Sequence, residues 1–107
     1  MILTLPLELI TDTDREQVGG KATTLAKLER LGYQVPRSLS ICISAYSLYL
    51  EETGLNSRIM MELGRKDFQQ MRWEEIWDAA LRIRNLFLTT PIPKDLNIKL
   101  AASLTDN

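Results

Sequence analysis

The chain reads Val-Gly-Gly-Lys-Ala at residues 18–22, and an apolar-periodic run over residues 23–31 follows at once. The two glycines, Gly19 and Gly20, free the backbone to turn tightly. The helix that begins there presents amide groups without intrahelical partners, and Lys21 adds a positive charge beside them. Such a helix N-terminus favours a bound anion, and phosphate is the first candidate. The alternative is that the glycines only turn the chain into the helix and that Lys21 is a solvated surface residue.

Length and composition predict a single domain over residues 1–107. Apolar residues make up 45% of the chain and charged residues 25%, as in ordinary globular proteins. A formal net charge of −1 argues against nucleic acid or an anionic membrane as a partner. No apolar run is long enough to span a bilayer, and the N-terminus does not resemble a signal peptide. The single cysteine, Cys42, cannot form an internal disulfide, so we expect a cytoplasmic protein.

The chain contains no histidine, which excludes several kinds of active site. Serine or cysteine nucleophiles activated by histidine cannot be built from this chain alone. Zinc sites that use histidine are excluded as well, and one cysteine cannot build a thiolate site. We therefore predict no catalytic residue and no metal site here. Any chemistry would have to rest on lysine, arginine, carboxylates and backbone amides.

Hydrophobic periodicity predicts an α-rich α+β fold with about five helices and about two short strands. The predicted strands lie at residues 2–9, interrupted by Pro6, and at residues 39–43, with a loop at residues 11–17. The predicted helices lie at residues 20–31, 45–53, 56–63 and 72–89, with a last helix that starts at Pro93. Ser44 is predicted as an N-cap, and three glycines are predicted to end helices: Gly32, Gly54 and Gly64.

Several side chains allow both a packing and a binding interpretation. Trp73 and Trp77 lie one turn apart and could stack a base, but we predict that they pack in the core. Met60 and Met61 are predicted to join a small apolar cluster rather than an adaptable contact surface. Cys42 is predicted to be buried and unreactive. Leu96, Leu100 and Leu104 are predicted to form the apolar stripe of the last helix.

The order of these motifs resembles the N-terminal part of the pyruvate phosphate dikinase and phosphoenolpyruvate synthase family. The glycine-lysine motif with Leu25 is similar to that family's opening VGGK-A-x-L segment. Leu31-Gly32 followed by Val35-Pro36 resembles its L-G-x-x-V-P turn. Further similar segments lie at residues 45–55, at residues 83–84 and at residues 90–96. The chain departs from the family's V-P-P-G-F at residues 35–39, which read Val-Pro-Arg-Ser-Leu, so this turn must be built without the glycine.

The resemblance implies the first lobe of an ATP-grasp-like nucleotide-binding domain that binds Mg-ATP. In the family, the lysine that matches Lys21 contacts the nucleotide phosphates, so Gly19, Gly20 and Lys21 are the implied nucleotide contacts. The full enzymes pass phosphate from ATP to a histidine on a swivelling domain and then to pyruvate. The resemblance covers only the opening third of the nucleotide-binding domain. The arginine-serine-serine motif and acidic metal ligands that follow in the family are absent from this sequence. We therefore expect a fragment without catalytic activity of its own.

Two other functions remain open at this point. The chain could be a stand-alone interaction module without enzymatic activity, self-associating as a homodimer through an exposed apolar face. It could also act as a sensor for a small phosphorylated ligand.

Overall fold

A computed structural model describes residues 1–106, with five α-helices and two strands in that range. The strands are β1 (Thr4–Pro6) and β2 (Leu39–Ile41), and the helices are α1 (Arg15–Arg30), α2 (Ile43–Thr53), α3 (Leu55–Leu63), α4 (Trp73–Thr89) and α5 (Lys94–Asp106). This confirms the predicted α-rich α+β class. The chain divides into two compact units: Met1–Leu48 with the segment from Lys94 onward, and Tyr49–Pro93. The prediction of a single domain over residues 1–107 stays a prediction.

The first unit contains a two-stranded antiparallel sheet packed beside α1. Thr4 pairs with Ile41, Leu5 with Ser40 and Pro6 with Leu39. The strand predicted over residues 2–9 is limited to Thr4–Pro6: Pro6 ends it, and a 3-10 turn at Leu7–Leu9 follows in place of further strand. The predicted buried strand at residues 39–43 is shorter than expected.

The core of the first unit is a cluster of Leu7, Ile10 and Ala26, which are at most 3% exposed. Half-buried apolar side chains pack against it: Leu5, Val18, Ala22, Leu25 and Val35. Arg30 connects the end of α1 to this cluster: its Nη1 donates a 2.7 Å hydrogen bond to the carbonyl oxygen of Ile10. The core therefore holds both sides of the glycine pair, through Val18 before it and Ala22 after it.

The glycine that ends α1 is confirmed in its predicted role. Gly32 has φ +95°, and its N–H donates to the carbonyl oxygen of Glu29 at 3.1 Å. The N–H of Tyr33 donates to the carbonyl oxygen of Leu28 at 3.2 Å. These two bonds form a Schellman motif, which satisfies carbonyl groups that the helix end leaves open.

Two local predictions in this unit are wrong. Residues 11–17 are not a loop: a 3-10 turn occupies Asp12–Asp14, and α1 begins at Arg15. The Thr11 N–H donates to Asp14 Oδ2 at 2.9 Å, so the polar side chain stabilises the start of the helix. Ser44 is not an N-cap, because α2 already begins at Ile43. Its hydroxyl donates instead to the carbonyl oxygen of Ile2.

Burial in this unit follows the predictions only in part. Cys42 is 1% exposed as predicted, and burial raises the pKa of its thiol. Ile41 and Ile43 on either side of it are more than half exposed. Leu96 of α5 is buried, whereas Leu104 is 64% exposed, so the predicted apolar stripe is buried only at its beginning.

The second unit is organised by α3 and α4. Gly54 ends α2 with φ +74°, and Leu55, the first residue of α3, is completely buried. The Tyr49 hydroxyl donates to the carbonyl oxygen of Thr90 at 2.9 Å, and its ring stacks on Phe87 with centroids 6.2 Å apart. Glu62 of α3 accepts a 2.7 Å hydrogen bond from Arg82 Nε of α4. These contacts hold the C-terminal half of α4 against α3 and the end of α2.

The two tryptophans contradict their predicted place in the core. Trp73 is 66% exposed and Trp77 is 67% exposed, and their rings meet edge to face with centroids 5.9 Å apart. Met60 and Met61 are exposed as well. The residue of α4 that is buried most deeply is Ala79, which lies on the opposite side of the helix. Within residues 1–106, no helix combines the length and the apolar character needed to cross a bilayer.

Glu75 gives the second unit a pH-dependent contact. Its carboxylate accepts hydrogen bonds from Lys66 Nζ and Arg72 Nε, each at 3.1 Å. These bonds lower the pKa of Glu75 from 4.5 to about 2. Because the folded pKa lies below the unfolded value, its contribution to stability is complete above pH 4.5 and is lost as the pH falls toward 2.

We therefore expect Glu75→Gln to flatten the acid side of the stability profile. Denaturant midpoints measured at pH values from 6 down to about 2.5 report the slope. Glu52→Gln is the matched control, since Glu52 is exposed and no ion pair is recorded for it among the described residues. Equal acid slopes in Glu75→Gln and the unmodified protein would contradict the assignment.

Candidate functional site

The helix α1 is broken at Gly19, where φ is +85° and ψ is 172°. Only glycine adopts this region without strain. The turn at residues 15–18 therefore ends at the break, and the helical path resumes at Gly20. A helix that resumes after such a break begins with amides that have no acceptor in their own helix. The structure thus supports the predicted helix start at the glycine pair and adds a preceding turn.

Thr23 fixes the geometry of this restart. Its side chain is buried, and its Oγ1 lies 3.0 Å from the carbonyl oxygen of Gly20 and 3.2 Å from that of Gly19. A threonine hydroxyl that donates back to the preceding turn satisfies itself locally. The carbonyls of the glycine pair are therefore held toward Thr23.

Lys21 lies on the first turn after the break and is exposed. No ion pair or hydrogen bond to its ammonium group is recorded among the described residues, so the charge is available to a ligand. Lys21 lines a shallow cavity of about 210 Å³. The other lining residues come from α1, from the turn after β1 and from the start of β2: Leu7, Val18, Ala22, Leu25, Ser38, Leu39 and Ser40.

A second cation lies at the glycine pair. A Cβ added to Gly20 would lie 3.5 Å from Nη2 of Arg15, so the guanidinium covers the Cα of Gly20. Arg15 therefore places a second positive charge beside Gly20, the residue that precedes Lys21. The sequence prediction missed Arg15. The signal that could have found it is the Thr11-x-x-Asp14 pattern, which is typical of a helix start and would have placed Arg15 inside a helical turn.

The cavity wall opposite α1 comes from the turn that departs from the family pattern. Ser38 Oγ donates a 2.7 Å hydrogen bond to the carbonyl oxygen of Pro36, and the Ser38 carbonyl accepts the N–H of Leu7 at 3.1 Å. This turn is therefore built from hydrogen bonds in place of a glycine. Leu39 lines the cavity, and Arg37 is exposed and is not part of the lining.

The residues of this cavity suit an anion better than a metal ion. Lys21 supplies charge, Ser40 supplies a hydroxyl group, and the helix restart supplies amides, whereas the one hydroxyl donor of Ser38 is already used on the Pro36 carbonyl. Within residues 1–106, no group of three or more aspartate, glutamate, histidine or cysteine side chains comes together in a way that could hold a metal. A phosphate group fits this donor set. Magnesium would need its oxygen ligands from phosphate, water or another part of a larger protein.

Comparison with known families agrees with this chemistry. Residues 15–106 match the family described as "Pyruvate phosphate dikinase, AMP/ATP-binding domain". The match begins at Arg15, the first residue of α1, and includes the glycine break, every lining residue of the cavity except Leu7, and all later helices.

Individual relatives carry names from the same group. The chain is 32% identical over 95 residues to a phosphoenolpyruvate synthase of Neisseria meningitidis, an alignment that covers 85% of this chain and 12% of the relative. It is 29% identical over 90 residues to a probable phosphoenolpyruvate synthase of Staphylothermus marinus, covering 84% of this chain and 11% of the relative. It is 28% identical over 87 residues to the phosphoenolpyruvate synthase of Escherichia coli K12, covering 78% and 11%. The chain thus spans about one eighth of the length of these relatives.

Proposed function

The chain belongs to the pyruvate phosphate dikinase AMP/ATP-binding domain family, and we propose that it contributes one side of a nucleotide phosphate site. In this proposal Lys21, with the backbone at Gly19 and Gly20, contacts the phosphates of ATP. The protein resembles the N-terminal part of phosphoenolpyruvate synthases. On its own it binds nucleotide without turning it over.

The observation that carries the proposal is the position of Lys21. It is a cation without a recorded partner, it lies on the first turn after a glycine-only break, and it lines a cavity that also presents Ser38 and Ser40. A solvated surface lysine needs neither the break nor the cavity. A phosphate site uses both the break and the cavity, because the backbone amides and the lysine charge can then contact the oxygens of one phosphate group.

These residues would bind and orient a phosphate chain rather than transfer a phosphoryl group. The Lys21 ammonium would neutralise charge on the outer phosphates, and the amides of the helix restart would donate to their oxygens. Magnesium, when bound with the nucleotide, would supply further charge neutralisation. Phosphoryl transfer also needs groups that position an acceptor and stabilise charge on the far side of the transferred group. In this proposal those groups come from parts of a longer enzyme, so we expect weak binding and no turnover.

We expect Lys21→Ala to weaken binding of Mg-ATP at least tenfold, since one charge-assisted phosphate contact corresponds to about 1.5–3 kcal/mol. Lys27→Ala is the matched control, because Lys27 is an exposed lysine of the same helix that does not line the cavity. Titration calorimetry with Mg-ATP measures both. Binding in the control is expected to stay within about twofold of the unmodified protein, since exposed charges away from the ligand contribute little.

A second titration with AMP separates phosphate contacts from base contacts. If Lys21 reaches the outer phosphates, Lys21→Ala weakens ATP binding more than AMP binding. Equal losses for the two nucleotides would place Lys21 elsewhere. The absence of saturable ATP binding at millimolar nucleotide would contradict the proposal for the isolated chain. If Lys27→Ala weakened ATP binding as much as Lys21→Ala, the binding would be non-specific charge attraction.

A further inference from the structure

One side of α4 is apolar, exposed and unused by the nucleotide site. Trp73 and Trp77 are two-thirds exposed, Leu81 is 52% exposed and Leu88 is 70% exposed. Together with Ala80 and Arg84 they lie within a band about 100° wide along the helix, at 100° per residue. We call these six residues the α4 stripe. An apolar band of this kind on a helix is the pattern of a helix–helix contact.

The α4 stripe contains a cavity as well as projecting rings. Trp77, Ala80, Leu81 and Arg84 line a space of about 330 Å³. Ala80 is the small residue in this set, and it lies three residues after Trp77. A surface that carries a large ring next to a small residue can interdigitate with a reversed copy of itself.

Charge is distributed along α4 with opposite signs at its two ends. Glu74 lies in the first turn, at the edge of the stripe, and Arg84 lies in the second half. No ion pair is recorded for these two side chains among the described residues. Glu74 and Arg84 are ten residues apart, about 15 Å along the helix, so they cannot pair within one copy. Two antiparallel α4 helices would place each acidic end beside the basic end of the other, whereas two parallel helices would place like charges together.

We propose that the α4 stripe is a homodimer interface in which two copies of α4 pack antiparallel across a two-fold axis. Trp77 of each copy packs on Ala80 of the other, and Trp73 and Glu74 of each copy meet Arg84 of the other. Arg84 then makes a cation–π contact and an ion pair at the same time. In such an isologous contact each interaction occurs twice, once on each side of the two-fold axis.

The area of the stripe indicates a weak dimer. Its exposed side chains would bury on the order of 500 Å² per copy, close to the lower limit of about 600 Å² per partner for stable interfaces. Association should therefore depend on protein concentration in the micromolar range and above. The two tryptophans of the stripe are the only tryptophans of the chain, so intrinsic fluorescence reports this surface directly.

The first test is sedimentation and tryptophan emission of the full chain across a concentration series, without nucleotide. We expect a monomer–dimer equilibrium, with the emission shifting to shorter wavelength as the dimer forms. Ala80→Arg is expected to weaken association at least tenfold, and Asn85→Arg is the matched control, since it adds the same charge to an exposed position of α4 outside the stripe. Circular dichroism establishes that both variants keep their helices.

The second test is a charge exchange that depends on the antiparallel arrangement. Glu74→Arg and Arg84→Glu are each expected to weaken association about threefold to fivefold, and the double variant is expected to return within about twofold of the unmodified protein. A chain that stays monomeric to millimolar concentration overturns the proposal. Association that Ala80→Arg does not affect, or a double variant that is not restored, overturns it as well. None of these outcomes bears on nucleotide binding at Lys21.

Discussion

Ile10→Ala is expected to lower the free energy of unfolding of the protein by about 2–5 kcal/mol, the range for large-to-small changes in a packed core. Ile10 is completely buried and forms a cluster with Leu7 and Ala26. The truncated side chain would leave a cavity that the short strands and α1 can fill only in part. Because whole domains are stable by only about 5–15 kcal/mol, this one change takes a large share of the total.

Two further isoleucine variants test whether the loss of stability comes from the burial of Ile10. Ile2→Ala removes the same atoms from a position that is 65% exposed, so its effect should stay within about 0.5 kcal/mol. Ile10→Val removes one methylene from the core and should cost about 0.5–1.5 kcal/mol. Urea unfolding followed by circular dichroism measures all three. Similar losses for Ile2→Ala and Ile10→Ala would show that the Leu7–Ile10–Ala26 cluster does not carry the stability of this unit.

Ile10 also supports the candidate site, although it does not line the cavity. Val18 and Ala22 pack against its cluster and lie on either side of the glycine pair. A cavity under these residues should loosen the break at Gly19. We therefore expect core substitutions to change both the stability of the core and the geometry of the cavity that Lys21 lines.

Helix ends were predictable from the sequence because a glycine at a helix end acts locally. The Schellman bonds of Gly32 and Tyr33 use only residues of the same helix, and Gly54 turns the chain with its own positive φ. The helix starts were less accurate. Ser44 is a favourable N-cap residue, but its hydroxyl finds a partner in Ile2, which is 42 residues away. A local pattern cannot reveal that competition.

The tryptophans show a different limit. The apolar residues of α4 recur at helical spacing, but the arc that they form is wide enough to have two sides: Trp73, Ile76, Trp77, Ala80, Ile83 and Phe87. Ile76, Ile83 and Phe87 are half-buried, whereas Trp73 and Trp77 face outward. Ala79, the most deeply buried residue of α4, is too small to stand out in a hydrophobic pattern. The sequence predicts which residues share a face, and only packing decides which face is covered.

The candidate site was predictable where it is continuous in sequence. Gly19, Gly20 and Lys21 form one motif, and the structure places them together by necessity. Their assignment as nucleotide contacts remains a prediction. Ser38 and Ser40 reach the same cavity only because β2 pairs with β1 beside α1, and no local signal announces that pairing.

The glycine pair yields the other large prediction, because its two members differ in their backbone. Gly19→Ala is expected to lower the free energy of unfolding by about 1–3 kcal/mol, since φ +85° with ψ 172° is a region that side chains disfavour. The space around Gly19 is open, with no heavy atom within 4 Å of an added Cβ, so the cost is conformational rather than steric.

Gly20→Ala is expected to be neutral or to stabilise the protein by about 0.4–1 kcal/mol, because alanine favours a helix and restricts the unfolded chain. Its added Cβ would meet Arg15 Nη2 at 3.5 Å, an ordinary contact with the end of a flexible side chain. Thermal or urea unfolding of the two variants should therefore give opposite signs from the same chemical change at adjacent positions. Equal destabilisation would mean that the break is not at Gly19. The first free amides of the helix would then no longer be expected beside Lys21.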